Sequence, residues 1–236
     1  MSLARYAQNF SVVEIQQTFY QPPLLPTLAK WRAAVPAEFE FTLKAWQLIT
    51  HEASSPTYRR LREKLSDQQR REAGSFRLNA TVRSAWKRTL DCARALGSRV
   101  VLFQCPARFG PSAENKARLR EFFREIRREL PGPRAEGEFT FVWEPRGQWT
   151  REDAGELCEE LGLVHGVDPF EQPPATPGLG YFRLHGKAGY RYRYSDEDLH
   201  RLAELTGGHN PCYVLFNNLS MLEDARRFAC LARGGA

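Results

Sequence analysis

One spacing recurs through this chain: two polar residues, two positions apart, at the end of an apolar run. Glu144 and Arg146 close the run from Phe139, Arg183 and His185 the run from Leu179, Thr42 and Lys44 the run from Phe39, and Glu14 with Gln16 follows Val12 and Val13. Residues two apart project from one face of a strand, so each pair is presented together. Gln104, Asp168, Asn217 and Asn218 end three further runs. Carboxylates, cations and an imidazole at such positions are the ingredients of hydrolytic or acid-base chemistry on an anionic, phosphate-bearing substrate. Glu144 and Asp168 would serve as base or metal ligand, His185 would donate a proton, and Lys44, Arg146 and Arg183 would offset negative charge. Glu14, Gln16, Tyr20, Gln104, Trp149, Lys187, Asn217 and Asn218 complete the candidate substrate contacts.

Three other readings of the same residues stay open. Glu14, Glu144, Asp168 and His185 are oxygen and imidazole donors suited to a divalent metal, although no H-x-H or H-E-x-x-H spacing is present. Lys44 beside carboxylates keeps its proton, so it reads as a charge partner rather than a Schiff-base nucleophile. A purely structural layer of ion pairs, such as Glu144 with Arg183 and Glu14 with Lys44, would cap a core without binding anything.

The elements that must position these residues alternate regularly. Seven strands are readable: 11–17, 39–46, 99–105, 139–146, 163–168, 179–185 and 212–218. Between them lie helical patterns opened by Ser112, Thr150, Ser195 and Ser220 and closed by Gly97, by Gly162 and, after Leu130, by Pro131-Gly132-Pro133. The longest excursion, at about 47–80, carries a charged helix over 58–72. Strands alternating with helices imply a parallel sheet, and a chain of 236 residues with seven strands favours a TIM-type α/β barrel in one domain, 1–236. In that fold the C-terminal strand ends form the active face, where all seven runs turn polar. Phosphate is often held after the last two strands, here residues 186–194 with Lys187, Arg191 and Arg193, and residues 217–220.

Composition narrows the classes. No run is long enough to span a membrane and no secretory leader is readable, so a cytoplasmic location is expected. Five cysteines without a C-x-x-C pair fit neither a disulfide framework nor a zinc site, and all five read as small buried groups. A net charge of +6 admits an anionic small molecule or nucleic acid as partner. No dinucleotide fingerprint, Walker loop or G-x-S-x-G follows any strand, so no nucleotide cofactor is expected. A second function class is a non-catalytic nucleic-acid-binding protein stacking bases on Tyr20, Trp149, Tyr190 and Tyr192.

The strand-end motifs also carry a family resemblance. Glu14-Ile-Gln-Gln-Thr-Phe-Tyr20, Phe39-Glu-Phe-Thr-Leu-Lys44 with Thr50-His51, Phe103-Gln-Cys-Pro106, Trp143-Glu-Pro-Arg146 with Trp149, Tyr181-Phe-Arg-Leu-His-Gly186 and Phe216-Asn-Asn218 stand in one order over nearly the whole chain. They resemble the motifs of the YecE-like family, domain of unknown function 72. Val167-Asp-Pro-Phe170 and Tyr190-Arg-Tyr-Arg-Tyr194 are similar to its archaeal-type branch. The resemblance implies a TIM barrel like those of endonuclease IV-like and sugar-isomerase-like proteins, and no assigned reaction. It also implies an opening strand with a Gly-x-Ser/Cys-Gly motif, which this chain lacks.

Overall fold

Side-chain alternation along the strands decides which face each polar residue occupies. The computed structural model describes residues 1–130 and 139–234, and these fall into two compact units, Met1–Trp149 and Thr150–Ala236. In the first unit β1 (Val12–Ile15), β2 (Glu40–Lys44), β3 (Val100–Gln104) and β4 (Thr140–Glu144) pair in chain order, all parallel. The register sets Glu14 beside Thr42, Lys44 beside Leu102 and Gln104 beside Glu144.

Phe103 and Phe141 face the helices. Phe103 meets Trp86, Phe122, Phe123 and Phe141 with ring centroids 5.0 to 6.1 Å apart. Trp86, Phe122 and Phe123 come from α6 (Ala80–Leu96) and α7 (Ala113–Arg128), whose apolar stripes the spacing predicts. Because Phe103 and Phe141 point to the helix layer, Gln104 and Glu144 point to the opposite face. Asn79 and Ser112 accept the backbone N–H groups of Val82 and Asn115 and so start these helices.

Shorter helices complete the unit: α1 (Leu3–Ala7), α2 (Gln17–Tyr20), α3 (Leu25–Ala33), α4 (Gln47–Thr50) and α5 (Asp67–Glu72). Two expectations are corrected. The first strand stops at Ile15, because Gln16 is already helical and α2 begins behind it. The charged helix expected over 58–72 is broken into a 3-10 turn, Pro56–Arg60, and α5. Ser66 explains the break, since its side chain and Gln69 form a reciprocal capping box that can start a helix only at Asp67. The stop assigned to Pro131-Gly132-Pro133 lies outside the described residues.

The second unit holds α8 (Arg151–Leu161), β5 (Val164–Val167), β6 (Gly180–Leu184), α9 (Asp196–Thr206), β7 (Cys212–Phe216) and α10 (Met221–Gly234). Its strands also pair in order and in parallel. Leu184, Tyr194, Leu199, Leu202 and Phe216 form a buried cluster against which Phe228 packs, so Arg183, the neighbour of Leu184 along β6, lies on the other face of the strand. Cys92, Cys105 and Cys158 are buried as expected, whereas Cys212 and Cys230 are exposed. Cys212 opens β7 at its less covered end, and Cys230 sits on a solvent-facing position of α10.

Candidate functional site

Three strand ends of the first unit build one hydrogen-bonded relay. The Lys44 ammonium, 4% exposed, donates to Gln104 Oε1 at 2.6 Å. The Gln104 amide then donates through Nε2 to Glu144 Oε1 at 2.8 Å. Arg146 closes the chain, giving Nε and Nη2 to the same carboxylate oxygen at 3.0 and 2.8 Å. Each of these bonds has an ionised partner, and such bonds are the stronger ones in proteins, about 1.5–3 kcal/mol each. The Lys44 ammonium also lies 4.2 Å above the ring of Phe19. Glu14, buried beside Thr42 at the neighbouring strand end, accepts a bond from Gln16. The strand ends thus bring together Glu14 and Gln16, and link Lys44, Gln104, Glu144 and Arg146.

His51 belongs with this group, although the strand-end pattern does not select it. It follows α4, its ring meets that of Phe19 edge-on at 4.9 Å, and its Nδ1 is 2.7 Å from Thr50 Oγ1. Burial lowers the imidazole to about 3, with the charges of Lys44, Arg108 and Arg146 acting in the same direction. The ring is therefore neutral at pH 7. Arg108 and Arg146 are brought up by the loops after β3 and β4, which pass so closely that a Cβ on Gly147 would stand 2.1 Å from Ala107 O. Gly147 has φ +91, a conformation that side chains rarely adopt. The only sequence signal for His51 was the Thr50-His51 dipeptide, which sits in what reads as an insertion.

The low value has a thermodynamic sign. Between the folded value near 3 and the unfolded value of about 6.5, the unfolded chain binds the extra proton, so stability is full above pH 6.5 and falls as the pH drops. At pH 5 the loss is set by the unfolded value alone and amounts to about 2 kcal/mol. Urea unfolding at pH 7.5 and pH 5.0 checks it. His51→Gln, which cannot titrate, is expected to lose about 2 kcal/mol less than the parent between the two pH values. Equal losses in both proteins would remove His51 as the cause.

The second unit carries its own polar cluster. Asp168, 7% exposed, accepts from the backbone of Phe170 at 3.1 Å and of His185 at 2.9 Å. Its carboxylate stands 3.8 Å from His185 Nδ1. Arg183 is 2% exposed and reaches His185 Nε2 at 3.4 Å. Asp168, Arg183 and His185 are thus brought together, as their positions at the ends of β5 and β6 require.

The expected phosphate loop is otherwise occupied. Lys187 pairs with Asp198, which also accepts from Tyr192 at 2.6 Å and from the backbone of Ser195 at 3.0 Å. Burial pushes the Asp198 carboxyl up, but the bonds from Lys187, Tyr192 and Ser195 outweigh it and hold the group below its usual range. Arg193 pairs with Glu223. Asn218 donates to Tyr192 O at 2.8 Å and to Asp224 at 2.6 Å, while Asn217 contributes its backbone N–H to Leu184 O. Lys187 and Asn218 here fasten a loop to α9 and α10.

Of the proposed stacking surfaces, Trp149 is buried and Tyr20 carries an arginine over one face. Trp149 is 7% exposed, packs edge-on against Trp143 and donates Nε1 to Phe109 O. Tyr20 lies under the Arg60 guanidinium at 3.5 Å. Tyr190 remains exposed. Among the described residues no group of three or more His, Cys, Asp or Glu side chains is placed to hold a metal ion, and no helix is long and apolar enough to cross a membrane.

Comparison with known proteins fits this architecture. No curated protein matches the sequence. A DUF72 family protein of Enterococcus faecalis is similar in structure with a TM-score of 0.70 at 19% identity, over 99% of this chain and 88% of that one. A DUF72 family protein of Thermotoga maritima follows with a TM-score of 0.65 at 20% identity, over 99% and 91%. A xylose isomerase domain containing protein of Salmonella typhimurium gives 0.58 at 13% identity, over 99% and 91%. Such likeness carries the fold, which is of the α/β TIM-barrel class as expected. The family model described as "Protein of unknown function DUF72" matches residues 1–233, and the chain accordingly belongs to the DUF72 family.

Proposed function

We propose that the protein is an enzyme that performs acid-base or hydrolytic chemistry on an anionic, phosphate-bearing small molecule. The observation that carries this reading is the relay of Lys44, Gln104, Glu144 and Arg146. Two cations and one carboxylate are fixed at adjoining strand ends by bonds that hold their orientation. A preorganised pair of cations stabilises developing negative charge without reorganising, and a carboxylate fixed beside them is a proton acceptor. A layer built only for stability would gain as much from apolar side chains of similar size. The buried ring of Trp149 and the arginine over one face of Tyr20 favour this reading over base stacking on nucleic acid.

Calorimetry and turnover assays test it. Inorganic phosphate is expected to bind, more weakly as salt rises, and Lys44→Met or Arg146→Met is expected to weaken it by about tenfold or more. Turnover is sought with para-nitrophenyl phosphate, its bis ester and a set of aldose and ketose phosphates. Tight salt-dependent binding of a short oligonucleotide, with neither phosphate binding nor turnover, would overturn the proposal in favour of a nucleic-acid-binding protein.

A further inference from the structure

Two cations of the first unit are seated on two touching rings. Phe19 and Tyr20 are consecutive residues of α2 and meet edge-on with their centroids 4.9 Å apart. Lys44 Nζ lies 4.2 Å above Phe19, and the guanidinium carbon of Arg60 lies 3.5 Å above Tyr20. These three short distances tie Arg60 to the relay that begins at Lys44. At 3.5 Å the guanidinium can only lie flat on the ring, because turned on edge it would drive a nitrogen into the carbons beneath. A flat guanidinium gives its face to the ring and keeps its N–H fork, which lies in its own plane, for an acceptor.

Arg60 is held in that place from both sides. It ends the 3-10 turn Pro56–Arg60, which Ser55 caps by accepting the Thr57 N–H at 3.4 Å, and whose Tyr58 hydroxyl donates to His51 O at 2.7 Å. On the other side Gln21, the residue after Tyr20, accepts the N–H groups of Arg62 and Glu63 through Oε1 at 3.1 and 3.2 Å. The turn is thereby fastened to the helix that carries the rings. Its cations have no counter-ion: Arg59, Arg60 and Arg62 are exposed, and among the described residues no carboxylate forms an ion pair with any of them. Lys44, Arg146 and Arg108 differ, being engaged by Gln104, Glu144 and Glu52. An oriented donor fork without an acceptor is what a preorganised anion site requires.

Resting on the proposed function, we propose that Arg60, laid on Tyr20, is a second anion subsite and that the substrate is a small molecule with an anionic group at each end. A phosphate meets Lys44 and Arg146, and a second phosphate or a carboxylate meets the Arg60 fork. The substrate class is then a sugar bisphosphate or a phosphosugar acid. Two anions on one molecule reinforce each other, because binding the first presents the second at high effective concentration. A ligand with one charged end leaves Arg60 unanswered, and that difference sets the specificity. Tyr20 is the positioning residue, since its ring holds the guanidinium flat.

Calorimetry on the intact protein tests this with inorganic phosphate, with triose, pentose and hexose monophosphates, and with the matching bisphosphates and phosphosugar acids. At least one two-ended ligand is expected to bind about tenfold or more tightly than its monophosphate, with the gain shrinking as salt rises. Arg60→Met is expected to erase that gain while leaving the affinity for inorganic phosphate within about twofold of the parent. Arg60→Lys, which keeps the charge without the flat fork, is expected to restore only part of it. The larger gain, with bisphosphate or with acid, identifies the second group. If every two-ended ligand binds no tighter than its monophosphate, or if Arg60→Met weakens all ligands alike, Arg60 is no subsite, and the proposed function survives as long as phosphate binding depends on Lys44 and Arg146. If phosphate does not bind, or binds without regard to Lys44 and Arg146, both fall together.

Discussion

Gly74→Ala is expected to destabilise the protein by about 4 kcal/mol. Two costs combine. The backbone at Gly74 has φ +86, which alanine adopts at a cost of about 1–3 kcal/mol. The new methyl would also lie 2.4 Å from both Glu52 N and His51 C, and relieving such a clash in a packed region costs about 1–3 kcal/mol more. Neither neighbour is the end of a flexible side chain, so the backbone itself must move. Gly110→Ala is the control, because nothing lies within 4 Å of its added carbon and its effect should stay within about 0.5 kcal/mol. Urea melts of the two variants decide the matter: equal midpoints would show that the backbone at Gly74 yields at no cost.

Glu144→Gln is expected to have the largest effect on activity. Glutamine keeps the size and an acceptor oxygen for Gln104 and Arg146 but removes the charge and the proton-accepting capacity, so turnover of the most active phosphate ester should fall about 10²–10⁴-fold. Stability should change little, by about 1 kcal/mol, since Arg146 is partly solvated with 41% of its side chain exposed. A structural ion pair predicts the opposite pattern. In that case Glu144→Gln and Arg146→Met would each melt well below the parent and the double variant would be no worse than either, the mark of one shared interaction. Full turnover in Glu144→Gln would remove this residue from the chemistry whatever its stability.

The parts of the site that were legible in the sequence are those set by local periodicity. Alternation along a strand places Lys44, Gln104 and Glu144 opposite Phe103 and Phe141, and no knowledge of distant contacts is needed to say so. Helix starts at Ser112, Thr150 and Ser195 are equally local, because a capping side chain bonds its own third neighbour. Partner choice over a distance was not legible. Lys187 reads as a phosphate ligand until Asp198 of α9 is seen to hold it, and Tyr20 reads as a stacking surface until Arg60 is seen above it. The relay itself lies between these cases: Lys44, Gln104 and Glu144 were each recognisable as strand-end residues, but that Gln104 bridges the other two depends on the register of three strands. His51 was hidden because its place depends on a turn 23 residues further along the chain, reached through Gly74.

The strand register also bears on how the chain accommodates its longest excursion. Val12 pairs with Glu40, whereas Thr42 pairs with Val100, so the second pairing must close a loop roughly twice as long as the first. Loop-closure entropy grows only with the logarithm of length, and a doubling costs about 0.6 kcal/mol. The segment at 47–80 can therefore be lengthened or shortened with almost no penalty to the pairing of β2 and β3. A fold with this connectivity keeps the pairing of its strands largely independent of how much chain is placed between them.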